Sequence, residues 1–230
     1  MSLFVIGDTH LSFGTSKPMD IFAGWENHTV LLENAWRERI TDADTVVLAG
    51  DISWGMSMDE ALPDFQWLHA LPGHEKIILK GNHDYWWGTF KKMQEFFAAH
   101  QLDTLKILHN NHYAYGEYGI CGTRGWVNMD PGEPANAKVN AREAQRLEVS
   151  LNSAEAAGLK PIVFLHYPPI YGASENYEML DVLWRHPVTD CWYGHVHGKA
   201  HSHAINGERG GICYHLISGD YVQFIPQIVL

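Results

Sequence analysis

Five short apolar stretches, each running straight into a polar cluster, constrain the fold of this chain more than any other feature. They are LFVIGD (3–8), TVVLAGD (45–51), KIILKGN (76–82), IVFLHY (162–167) and CWYGHVH (191–197). Each is short, rich in β-branched or aromatic residues and bounded by turn formers, the pattern of a buried strand. Between them, residues 26–40, 58–71, 89–100 and 137–158 carry apolar side chains at three- and four-residue spacing, the period of amphipathic helices. Gly158 is placed to cap the last of these, with Pro161 just beyond. Such alternation predicts an α/β architecture around a central sheet. The final thirty residues change character. KAHSHAI, GICYHLI and YVQFIPQIVL, separated by glycine-bearing turns, read as antiparallel strands, and a further β stretch is expected at 112–123. With 230 residues, 46% of them hydrophobic and 19% charged, the chain can bury a large core, and one domain covering 1–230 is expected.

Several function classes drop out on composition. No apolar run approaches the ~20 residues that span a bilayer, so no membrane partner is expected. The start, MSLFVIGDTH, lacks a basic segment and a small-residue cleavage site. Cys121, Cys191 and Cys213 include no CxxC pair, which argues against a disulfide framework. Both observations predict a cytoplasmic protein. A formal charge of −11 disfavours a broad grip on nucleic acid. It leaves room for an anionic substrate, because bound cations can reverse the sign locally.

The chemistry lies where the strands stop. In open α/β sheets, ligands bind beyond the carboxyl ends of the strands. Here those ends carry Asp8 and His10, Asp51, Asn82-His83-Asp84, His166, and His195 and His197. At the i, i+2 spacing of an extended chain, Asp8 and His10 would face the same way, and so would His195 and His197. Two carboxylates, an amide and four imidazoles suit borderline divalent ions such as Mn, Fe, Zn or Co. The absence of a thiolate from the set argues against a closed structural zinc site. Singly these residues are commonplace; as an ordered set at successive strand ends they point to a metal centre.

The order GD-x-H (7–10), GD (50–51), GNHD (81–84), His166 and GH-x-H (194–197) resembles the calcineurin-like metallophosphoesterase superfamily across nearly the whole chain. The resemblance implies a β-sandwich of two mixed sheets flanked by helices, four layers α/β/β/α, with two metals at one edge. It implies that Asp8, His10, Asp51 and His197 hold one ion, that Asp51, Asn82, His166 and His195 hold the other, and that Asp51 bridges them. The reaction implied is hydrolysis of a small phosphomonoester or phosphodiester by in-line attack of a metal-bridging hydroxide. His83 would protonate the departing oxygen, and Asp84 would hold the far nitrogen of His83. Asn82 would face both metal and substrate.

Arg124, in GTRGW (122–126), is the candidate for gripping the phosphate. Trp25, Trp54, Tyr85, Trp86 and Trp87 follow the metal motifs and are expected chiefly to pack the loops onto the core, with stacking on an aryl group as the alternative. The GNHD motif runs into DYWWGT, without the arginine-bearing extension of protein serine/threonine phosphatases, which disfavours a phosphoprotein substrate. The metallo-β-lactamase-like hydrolases also use dinuclear His/Asp sites, but their His-x-His-x-Asp-His run is absent. A metal-binding scaffold or regulatory protein that has lost its chemistry is the remaining alternative; retention of both His83 and Asp84 argues against it.

Overall fold

A computed structural model of the chain describes residues 1–127 and 134–230. They form two compact units, one of Met1–Ile107 with Ile217–Leu230 and one of Leu108–Leu216. The expected α/β fold takes the form of two large mixed sheets with flanking helices. Among the described residues no helix is long and apolar enough to cross a membrane.

In the first unit, strands β1 (Leu3–Ile6), β2 (Thr45–Ala49), β3 (Glu75–Leu79) and β4 (Leu105–Ile107) alternate with helices α1 (His28–Arg39), α2 (Met58–Ala70) and α3 (Phe90–Ala99). The four strands pair in parallel, and Gln227–Ile228 adds an antiparallel edge on β1. Phe4, Ile6, Val46, Leu48 and Ile78 meet Leu32, Trp36, Phe65, Leu68, Met93 and Phe97 of the helices in one core cluster. Burial of each such side chain contributes about 1.5–3 kcal/mol. Alternate strand residues, including Leu3, Val5, Val47 and Ile77, are buried as well, which explains why these strands read as unbroken apolar runs. Helix α2 is capped by Ser57, which accepts from the Glu60 amide, and the Glu60 carboxylate accepts from the Met56 amide just before the cap.

Lys76 is buried inside this unit, and its Nζ donates to the carbonyls of Leu71 (2.5 Å), Gly73 (3.2 Å) and His69 (3.3 Å). Burial lowers its pKa from 10.5 to about 8. Between those values the unfolded chain binds the extra proton, so stability rises with pH through this window and falls as pH drops through 8. Relative to Lys76→Met, the wild-type chain is expected to gain up to about 3 kcal/mol on going from pH 7.5 to 10.5, read by urea denaturation. Parallel pH curves for the two proteins would refute this.

In the second unit, the β stretch expected at 112–123 is a hairpin of two strands, β5 (Tyr113–Tyr115) and β6 (Tyr118–Thr123). Then come α4 (Pro134–Ala156), β7 (Lys160–Leu165), the short hairpin β8 (Ile170–Tyr171) and β9 (Ser174–Glu175), α5 (Tyr177–Arg185) and β10 (Asp190–Tyr193). The unit closes with β11 (Gly207–Arg209) and β12 (Ile212–Leu216). The sheet runs β11-β12-β10-β7-β6-β5. Gly158 ends α4 with a left-handed backbone (φ 76°), and its N–H donates to the Glu155 carbonyl.

Two readings of the C-terminal region are corrected. Gly198–His203 is a 3-10 turn and not a strand, because left-handed Gly198 starts a run in which Ala200 and Ala204 each bond three residues back. Strand β12 is antiparallel to β11 but parallel to β10. Helix α5 lies outside the helices read from the sequence, although Asn176 caps it and Met179, Leu180, Val182 and Leu183 bury one face.

Candidate metal centre

In the first unit the chain leaving β1 runs beside the chain leaving β2. The amides of Asp8, His10 and Leu11 donate to the carbonyls of Gly50, Asp51 and Ile52 at 2.9–3.0 Å, and Leu11 pairs in parallel with Ser53. The sheet pairing thus continues past the strand ends and brings Asp8, His10 and Asp51 to one place. All three are buried. His10 Nε2 lies 3.7 Å from Asp51 Oδ2, and the His83 amide donates to Asp51 Oδ1 at 2.7 Å.

The expected geometry of the pairs Asp8/His10 and His195/His197 changes. Asp8 (φ 57°), His10 (φ 43°), Asp51 (φ 52°) and His195 (φ 73°) all have left-handed backbones, so strand alternation does not set their side-chain directions. Nine residues other than glycine have positive φ among those described, and four of them are expected ligands. Such conformations cost about 1–3 kcal/mol each and persist where the surrounding structure enforces them, often at functional sites.

At Asp51 the enforcement comes from Asp84. It is fully buried, and its two oxygens accept from five N–H groups. Oδ2 takes Gly81 N (2.7 Å) and Asp51 N (2.9 Å). Oδ1 takes Ile52 N (2.8 Å), Trp86 Nε1 (2.9 Å) and Ser53 N (3.3 Å). The sequence reading gave this carboxylate to the far nitrogen of His83; here it ties the loop after β2 to the loop after β3. Its pKa rises to about 6, first through burial and then through the charge of Asp51. The His83 ring is half-buried, with centroids 4.4 Å from Trp54, 5.7 Å from His10 and 6.1 Å from Tyr85. Trp54 also stacks on His10 at 5.0 Å, Trp25 and Trp86 are buried, and Tyr85 is exposed. Asn82 is half-buried beside His83.

In the second unit the three expected histidines follow β7 and β10. The Gly194 amide donates to the His166 carbonyl at 3.1 Å, and the rings of His166 and His195 lie 5.1 Å apart. His166 is buried; His195 and His197 are half-buried. A cavity of about 320 Å³ opens beside His195 and His197, walled by Pro168, Pro169, Tyr171 and Ala200. Arg124 is anchored here: Nη2 donates to Glu143 Oε1 at 3.2 Å, and the guanidinium lies 4.6 Å from the Trp126 ring. Glu143, a buried carboxylate not singled out from the sequence, also accepts from Arg146 and Thr123.

The donor set fits divalent cations. In the first unit alone, the carboxylates of Asp8 and Asp51 and the His10 imidazole are buried, while Asp84 is occupied by its five N–H donors. Charge at that burial is costly without a counter-ion, and oxygen with imidazole nitrogen suits borderline metals.

Comparison with known proteins agrees. A family model described as calcineurin-like phosphoesterase matches residues 1–199. Among curated proteins there is no match. Among solved structures, the chain is similar to AQ665 from Aquifex aeolicus, a protein of unknown function, with 14% identity, a TM-score of 0.53 and coverage of 99% of this chain and 95% of that one. It is similar to TT1561 of Thermus thermophilus, with 14% identity, a TM-score of 0.52 and coverage of 99% and 97%. It is also similar to GAP50, the anchor in the inner membrane complex of Plasmodium, with 14% identity, a TM-score of 0.52 and coverage of 96% and 72%. At these identities the likeness shows a shared fold alone.

Proposed function

We propose that this chain, which belongs to the calcineurin-like phosphoesterase family, hydrolyses a small phosphomonoester or phosphodiester with the help of two divalent cations. Asp8, His10, Asp51 and His197 would hold one ion, and Asp51, Asn82, His166 and His195 the other. When bound, the pair supplies Lewis-acid charge to the phosphoryl oxygens and activates water at neutral pH. The chain's own residues do the rest. His83 gives a proton to the departing oxygen, a role that suits a half-buried imidazole on the same loop as Asn82. Asp84 fixes that loop against the loop of Asp51. Arg124, held by Glu143 and Trp126, offers its remaining N–H groups to the phosphate.

The observation that carries this reading is the left-handed backbone at Asp8, His10, Asp51 and His195, strain concentrated on the residues named as ligands. Net charge of −11 favours a small ester over nucleic acid, and three free cysteines suit work in the cytoplasm.

The test is hydrolysis of p-nitrophenyl phosphate and bis-p-nitrophenyl phosphate by metal-stripped protein reloaded with Mn, Fe, Zn or Mg. Turnover is expected to vanish on stripping and to return only with metal, and the preferred ester divides monoesterase from diesterase. Two ions bound without turnover on either ester would favour the scaffold alternative.

A further inference from the structure

Asp190 opens β10, and Cys213 and His215 lie on its parallel neighbour β12. The register sets Asp190 opposite Cys213 and Trp192 opposite His215. Alternate residues of a strand share a face, so Asp190, Trp192, Cys213 and His215 stand on one side of the sheet. Cys191, Tyr193, Tyr214 and Leu216 stand on the other side and are buried in the core of the unit. A carboxylate oxygen, a thiol sulfur and an imidazole nitrogen from Asp190, Cys213 and His215 lie within 4.8 Å of one another.

Two of these three donors are already oriented. His215 Nε2 lies 3.0 Å from Asp190 Oδ1, and Thr189 Oγ1 donates to Asp190 Oδ2 at 2.8 Å. The His215 ring stacks on Trp192 with centroids 3.9 Å apart and planes 13° from parallel, which fixes its plane. The third donor, Cys213, is a free, half-buried thiol. All three residues are partly exposed, so an ion can reach them without unfolding.

We propose that Asp190, Cys213 and His215 form a second metal site, for a borderline-soft divalent cation with zinc foremost. A thiolate, an imidazole and a carboxylate make the donor set that zinc takes in tetrahedral coordination. Bond lengths of about 2.3 Å to sulfur and 2.0–2.1 Å to nitrogen or oxygen set donors ~3.3–3.7 Å apart. The three donor atoms, within 4.8 Å of one another, stand close to that range, and three protein ligands would leave a fourth position to solvent. Binding transfers the thiol proton to solvent. The ion would clip β10 to β12 at the amino end of β10, whereas His195 and His197 follow the carboxyl end of that strand. No thiolate belongs to the phosphoesterase ligand set, so the two sites differ in chemistry as well as place. Cys121 and Cys191 do not compete: burial pushes the first up to about 12 and raises the second as well.

Cobalt(II) distinguishes the sites, because only a thiolate ligand gives the sulfur-to-cobalt charge-transfer absorption in the near ultraviolet. The metal-stripped full chain, saturated with cobalt, is expected to show that band. Cys213→Ser should abolish it and bind one cobalt fewer per chain, keeping the remaining equivalents. Saturation of the wild-type chain without the band, or an unchanged band and stoichiometry in Cys213→Ser, overturns the site. A second measurement needs no variant: zinc should slow alkylation of Cys213 by iodoacetamide in the folded wild-type chain by about tenfold or more. An unchanged rate at saturating zinc overturns the proposal equally, and neither readout depends on phosphoesterase turnover.

Discussion

Gly81→Ala is expected to lower stability by about 4 kcal/mol or more and to strip metal from the chain, although it adds a single methyl group. A Cβ at Gly81 would lie 2.1 Å from both the amide nitrogen and Oδ1 of Asp51, and 2.8 Å from its Cγ. Backbone atoms cannot swing aside as a flexible side-chain tip can, so the loop after β2 must move. That movement pulls Asp51 N and Ile52 N away from Asp84, leaving buried donors and a buried carboxylate short of partners, at about 1–3 kcal/mol each. For a chain of this size the midpoint of thermal unfolding should fall by about 8–16 °C. Gly88→Ala is the control: the nearest atoms to its Cβ stand 3.9 Å away, and the change should be nearly silent. Circular dichroism gives the midpoints and elemental analysis the bound metal. A Gly81→Ala protein that matches Gly88→Ala in both would mean that the two loops do not depend on this close approach.

That contact marks a boundary of what the sequence reveals. Long helices are legible by their period, whereas LFVI, TVVLA and KPIVFL are legible as short unbroken apolar runs that stop at turn formers, because both their faces are buried. Positions of the seven expected ligands are legible from those stops, since a strand that must end leaves its polar residues at the mouth of the sheet. Directions are another matter. Asp8 and His10 look like alternate residues of a strand, yet both have left-handed backbones imposed by pairing with Gly50 and Asp51, over forty residues away. No local pattern encodes that partner. Glu143 is similarly hidden: inside an amphipathic helix a glutamate paired with Arg146 one turn on reads as solvent-facing, and only the fold brings Thr123 and Arg124 to it. The stretch KAHSHAI is too short for its period to separate a strand from a 3-10 turn.

His83→Asn and Asp84→Asn, neighbours in sequence, should fail in different ways. Loss of the His83 imidazole is expected to cut turnover by about 10²–10⁴-fold, the usual worth of a general acid, with stability and metal content intact. Asp84→Asn removes one charged oxygen from a buried group that satisfies five N–H donors. Whichever way the new amide turns, its NH2 faces donors: Gly81 and Asp51 on one side, or Ile52, Ser53 and Trp86 on the other. Charge-assisted hydrogen bonds are about twice as strong as neutral ones, so the exchange should cost about 3–5 kcal/mol and release the Asp51 loop. Metal should then be lost along with turnover. If Asp84 acted only by holding the far nitrogen of His83, the variant would keep its metal and its stability and would change the pH profile of turnover alone. Bound metal and unfolding free energy, measured beside turnover for both variants, separate the two roles. An Asp84→Asn protein that is stable and metal-loaded would return Asp84 to the service of His83; one that is loose and metal-poor would establish it as the residue that holds the two loops together.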